Sequence, residues 1–168
     1  MSAVRVYVPS TLRRLRQIVT ANGIGPAPFA AHAVTDALKV AYADGGEEEW
    51  EYAAASAAAQ SSVGMLGDDE PARRVVLAVD VPLVAAADSD DPTVVQVDEA
   101  VPFRRLAAVL ADAPEAEGDV GAARDAVAAR TAEVERLLER CLDHELGWWA
   151  AQEIGVLLEQ AGPARSTR

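Results

Sequence analysis

Val75-Val76-Leu77-Ala78-Val79 is apolar at every position and ends on Asp80, and this uninterrupted run constrains the chain more than any other feature. A strand with one wet face alternates apolar and polar residues, whereas a strand buried on both faces reads as a continuous apolar run. The segment is therefore expected to be a central strand, with helices lying over the sheet that contains it. Gly67-Asp68-Asp69-Glu70-Pro71 is the loop that leads into it.

The flanking segments supply the cover. Val4, Val6 and Val8 alternate with Arg5 and Tyr7 up to Pro9, the pattern of a period-two strand. Ser10 or Thr11 then caps a helix in which Leu12, Leu15, Ile18 and Val19 recur at helical spacing, and Asn22-Gly23 ends it in left-handed backbone. A Gly-Pro connector leads to a short strand at 29–34, and Thr35 caps a second helix. Glu47-Glu48-Glu49 places three acids in the first turn of a third helix, where the helix dipole favours them. Small residues fill that helix as far as Leu66, which permits close approach to a sheet.

Residues 93–98 form a shorter strand. Residues 102–112 read either as one helix from Pro102 or as a helical turn followed by a strand through Val109 and Leu110, and the strand is preferred. Asp119 caps what is expected to be the longest helix, along which Val120, Val127, Val134 and Cys141 recur every seven residues as a seam for a core or a partner. Leu146-Gly147-Trp148-Trp149 is a candidate last strand and 152–160 a closing helix. The expected architecture is α/β: a single domain over residues 1–163, with one mixed β-sheet covered by helices, a long helix in the C-terminal half and a flexible tail at 164–168.

At 168 residues the chain suits one domain with a self-sufficient core. Its formal net charge of −12 repels phosphate backbones and anionic headgroups, so neither nucleic acid nor a membrane is an expected partner. Arg13, Arg14 and Arg16 are a local exception and read as a solvated helix face. No window approaches the roughly 20 apolar residues of a membrane-spanning helix, and the first residues lack the pattern of a secretory signal. Cys141 is the single cysteine, which precludes an internal disulfide and fits a reducing compartment, so the cytoplasm is the expected location.

Gly23-Ile24-Gly25 is followed by Pro26 and lacks the third glycine and preceding strand of a phosphate loop. Nucleophile-elbow, Cys-x-x-Cys and His-Glu-x-x-His patterns do not occur in the sequence, and no catalytic residue or cofactor is assigned. Cys141 and His144 are close enough in sequence to suggest an activated thiol. Because Cys141 continues the apolar seam, a buried, inert thiol is expected instead. His32 and His144 lack a matched third ligand for a metal, and His144 is expected to be structural, hydrogen-bonded near Trp148. Three strands end in acid, at Asp80, Asp98 and Asp112. In a parallel sheet the carboxyl ends of strands share one edge, where clustered carboxylates hold a hard cation, whereas aspartate also ends strands by capping the next turn.

Arg5-Val6-Tyr7-Val8-Pro9-Ser10-Thr11-Leu12, Ala33-Val34-Thr35, Arg74-Val75-Val76-Leu77-Ala78-Val79-Asp80-Val81-Pro82 and Asp143-His144-Glu145-Leu146-Gly147-Trp148-Trp149 together resemble a family of uncharacterised actinobacterial proteins. The likeness runs over nearly the whole chain, and Trp149 stands where tyrosine is expected. A domain of unknown function is what the resemblance implies, with no catalytic residue to carry over.

Two functional expectations follow. The first is a non-catalytic protein-interaction or regulatory protein of the cytoplasm, using an acidic surface punctuated by Trp50, Tyr52, Trp148 or Trp149. The alternative is a divalent-metal-dependent enzyme or small-ligand binder built on Asp80, Asp98 and Asp112. Convergence of those carboxylates discriminates between them.

Overall fold

A computed structural model describes residues 2–162; the expected tail at 164–168 lies outside them. Strand β1 (Val4–Ser10) leads into helix α1 (Leu12–Ala21). The Thr11 hydroxyl accepts from the Arg14 amide at 3.1 Å, and Asn22 closes α1 in the left-handed region at φ 57°. Next come β2 (Gly23–Ile24), β3 (Phe29–Ala33), α2 (Asp36–Ala41) and α3 (Glu47–Val63). Thr35 caps α2 by accepting from the Leu38 amide at 3.0 Å, and all three predicted glutamates occupy the first turn of α3.

The chain continues through β4 (Val75–Val81), β5 (Ala85–Ala86), β6 (Val94–Val97) and β7 (Val101–Pro102). A short 3-10 turn at Phe103–Arg105 precedes β8 (Leu106–Ala111), so the preferred reading of residues 102–112 holds. Helices α4 (Glu117–Ala129) and α5 (Val134–Cys141), strand β9 (Gly147–Ala150) and helix α6 (Ile154–Gln160) complete the described fold. No helix among the described residues is long and apolar enough to cross a membrane.

Among the described residues, seven strands form one sheet in the order β5-β6-β3-β1-β4-β8-β9, and β2 pairs with β7 in a separate ribbon. The α/β class with helices over a sheet is as expected. Every ladder, however, is antiparallel, which corrects the expectation of mixed pairing. The apolar run of β4 reflects cover on both faces, and such cover suppresses polar residues whatever direction the neighbouring strands take.

On one face Val75, Leu77, Val79 and Val81 join Val6 and Val8 beneath Leu12, Leu15 and Ile18 of α1 and Ile154 and Leu157 of α6. Burying a side chain such as Leu77 contributes on the order of 1.5–3 kcal/mol. On the other face Val76 and Ala78 of β4, Tyr7 of β1 and Ala108 of β8 meet Ala54, Ala58 and Ala59 of α3. Those alanines bring the helix close to the sheet. Ser62 fixes its end, donating to the Ser10 carbonyl at 2.7 Å and accepting from the Val75 amide at 3.1 Å, and so bridges β1 and β4.

A further cluster lies at the end of α3, where Val63 and Leu66 meet α4 and α5. The single long helix expected from Asp119 is two helices. Arg130 turns into the left-handed region at φ 54° and its amide reaches the Ala126 and Val127 carbonyls, which ends α4. The seam survives the break, with Val120 and Cys141 buried and Val127 and Val134 packed beside them. Folding the chain back into a hairpin lets both halves bury their apolar stripes against each other.

Candidate functional site

Asp80, Asp98 and Asp112 do not converge. β4 and β8 are antiparallel, with Val75 opposite Ala111 and Val79 opposite Leu106. Asp112 thus lies beside Arg74 at the start of β4, while Asp80 lies at the far end, roughly 20 Å away at about 3.3 Å per residue. Asp98 follows β6, and β3, β1 and β4 stand between β6 and β8.

Each of the three already has a partner. Asp80 accepts from Arg5 Nε at 2.6 Å, and this hydrogen bond holds its carboxyl below the usual carboxylate range. Asp98 accepts from Gln96 Nε2 at 2.6 Å. Asp112, 3% exposed, is gripped by the buried Arg74 guanidinium through two contacts of 2.8 Å. A cation site needs several oxygens around one point, and the antiparallel order separates these. The expectation of a shared site rested on parallel strands, whose carboxyl ends alone collect on one edge.

The histidines are likewise apart. His32 is buried on the α3 side of the sheet between Thr93 Oγ1, at 2.8 Å, and Ser61 Oγ, at 3.1 Å. Burial pushes its pKa down, against a weaker upward pull from Asp91. His144 hydrogen-bonds to Asp119 of α4, with Nε2 and Oδ2 at 2.8 Å, rather than to a group near Trp148. This bond draws the segment after α5 onto α4 and lowers the pKa of Asp119. The Cys141 thiol is buried as the seam predicted, donates to the Leu137 carbonyl at 3.4 Å and has its pKa raised by burial. A shielded, protonated thiol is a poor nucleophile.

The four aromatic residues expected at an interaction surface divide into two pairs. Trp50 is half-buried: its Nε1 donates to the Tyr42 carbonyl at 2.9 Å and Lys39 lies over its ring, which ties α3 to α2. Trp149 is half-buried against the α1-side core. Tyr52 and Trp148 remain open at 66% and 65% exposure. Trp148 is the cross-strand partner of Leu110, so both project from the α3 side of the sheet.

Tyr52 and Leu110, the partner of Trp148, line a surface groove. A cavity of about 320 Å³ lies between Tyr52, Ala55 and Ala59 of α3 and Leu110, Leu142 and Leu146. A second cavity, of about 290 Å³, adjoins it and shares Ser56, Arg74 and Leu142. Together they form a groove between α3 and the α5 side of the molecule. Leu142, at 55% exposed, offers apolar surface to solvent at the junction. The lining includes Arg74, already neutralised by Asp112, and mixes apolar side chains with Ser56, Gln60, Glu135, Glu139 and Glu145.

Sequence reasoning found Tyr52 and Trp148 but missed Arg74, Leu110, Leu142 and Leu146. Leu142 directly follows the buried Cys141, a position that carries no sign of exposure. Arg74 and Asp112 are 38 positions apart, and no local pattern links them.

No curated protein and no solved structure matches the chain. A protein-family model does match, over residues 4–158, a span that takes in every segment on which the family resemblance rests. The chain belongs to the family of unknown function DUF6912.

Proposed function

We propose that the protein is a non-catalytic interaction module of the cytoplasm that binds a protein partner through the α3–α5 groove and the Tyr52–Trp148 surface beside it. The observation that carries this reading is the exposure of Tyr52 and Leu142, at 66% and 55%, on one groove, with Trp148, 65% exposed, paired across the sheet to the groove residue Leu110. Aromatic side chains held on rigid helix and strand backbone are the usual anchors of protein interfaces, because they bury much area at little entropic cost. The inert environment of Cys141 and the separation of Asp80, Asp98 and Asp112 support a binding role over chemistry. The net charge of −12 argues against nucleic acid or an anionic membrane as the partner.

The test is a photo-crosslinking amino acid placed at Tyr52 or Trp148 in the native cell, with Asp88 as a distant control position. A discrete adduct at the first two positions only, whose partner then binds the purified protein and loses affinity with Trp148→Asp, supports the reading. Identical adducts at all three positions, or a partner indifferent to Trp148→Asp, refutes it.

A further inference from the structure

We infer that the groove between α3 and α5 receives the apolar face of a basic amphipathic helix from a partner protein. This inference rests on the interaction reading above and names the chemistry of the partner.

The shape comes first. Tyr52, Ser56, Gln60 and Val63, with Ala55 and Ala59, line the two adjoining cavities from the α3 side. They recur every three or four residues, so they form one stripe along the helix. From Tyr52 to Val63 the stripe spans about 16 Å at about 1.5 Å per residue, the length of three helical turns. Glu135, Leu138, Glu139 and Leu142 line the opposite side with the same periodicity along α5 and its C-terminus. The trough is therefore walled by two helical stripes at its α5 end, while Leu110 of β8 and the segment His144–Leu146 before β9 face α3 at the other end.

Helical walls decide the backbone state of the occupant. An α-helix satisfies its interior N–H and C=O groups within itself, so the α3 and α5 walls offer no ladder to an extended peptide. A strand laid in the trough would leave backbone groups unpaired against apolar surface. A helix brings its own hydrogen bonds and presents side chains at i, i+3, i+4 and i+7 to such a trough.

Charge then selects the polar face. Glu135, Glu139 and Glu145 line the groove, and Arg74, the one arginine among the described residues that line it, is committed to Asp112. The lining is thus net negative on a molecule of net charge −12. Lysine or arginine flanking the apolar face of the occupant would lay aliphatic stems along the walls and place the charge beside these carboxylates. The same carboxylates disfavour an anionic lipid surface.

The probe is a fluorescein-labelled peptide of about 18 residues built from leucine and lysine, with the leucines on one helical face. Its control has the same composition with the leucines scattered around the helix. Fluorescence anisotropy at physiological salt should show saturable binding of the amphipathic peptide and at least about tenfold weaker binding of the scattered one. Reversal of two groove carboxylates, Glu135→Lys with Glu139→Lys, should weaken binding about tenfold. Reversal of two distant exposed acids, Asp88→Lys with Asp90→Lys, changes net charge equally and should alter it less than about twofold. All four positions are exposed, so folding should survive, and Leu142→Asp provides an independent probe of the apolar wall.

Absence of binding, equal binding of the scattered peptide, or equal loss from both charge reversals overturns the inference. If the amphipathic peptide fails while an identified partner still crosslinks at Tyr52 and depends on Trp148, the helical partner class falls and the interaction reading stands. If the crosslinks fail as well, both fall.

Discussion

Arg74 and Asp112 hold each other twice: Nε and a terminal nitrogen of the guanidinium each reach a carboxylate oxygen at 2.8 Å, and the Arg74 amide donates to the same carboxylate at 2.7 Å. The Asp112 amide in turn donates to the Arg74 carbonyl at 3.0 Å, and the guanidinium also reaches the His144 carbonyl at 2.9 Å. One buried pair thus joins the start of β4, the end of β8 and the segment leading to β9, beneath the groove.

Removing one partner leaves the other charged and dry. Asp112→Ala should cost about 3–5 kcal/mol of unfolding free energy, because breaking a buried pair strands an uncompensated charge. Urea denaturation measures it. A loss below about 1 kcal/mol, the range of exposed pairs, would show that water reaches Arg74.

Asp80 serves as the contrast. Its pair with Arg5 is about two-fifths exposed on both sides, at 44% and 37% of side-chain area, so Asp80→Asn should cost no more than about 1 kcal/mol. Mg²⁺ or Mn²⁺ should not raise the melting temperature through this residue, since Asp112 lies at the other end of β4. A metal-dependent rise that vanishes in Asp80→Asn would restore the cation site.

His32 makes stability depend on pH. Burial lowers its folded-state pKa, so between that value and the unfolded value near 6.5 the unfolded chain binds more protons. Its contribution is therefore fully present above about pH 6.5 and is lost as pH falls toward the folded pKa. Thermal melts of wild type and His32→Gln across pH 5–7.5 should show a steeper acid loss in the wild type. Parallel curves would exclude His32 as the source.

Cys141 should react slowly with a thiol reagent in the folded protein and rapidly in urea, because the thiol is buried and its pKa raised. Labelling at the rate of a free thiol under native conditions would contradict the packing of α5 on α4.

The sequence by itself determined most of the longer elements and their inward faces. Hydrophobic period, caps and turn residues act over a few positions, so β4, an α1 cap at Ser10 or Thr11, the Thr35 cap, the acidic first turn of α3 and the seam ending at Cys141 were all readable locally. The aromatic pair that stays exposed, Tyr52 and Trp148, was within that reading, although Trp50 and Trp149 looked the same in sequence and proved to be anchors. Only the tertiary structure decided strand direction, the break of the long helix at Arg130, and the meeting of Tyr52, Leu142 and Leu146 around one groove. The side-chain pattern of a buried strand reports that both faces are covered, and it is the same for parallel and antiparallel neighbours. The direction that separated Asp80 from Asp112, and gave Asp112 to Arg74, therefore came from how the connections return the chain to the sheet.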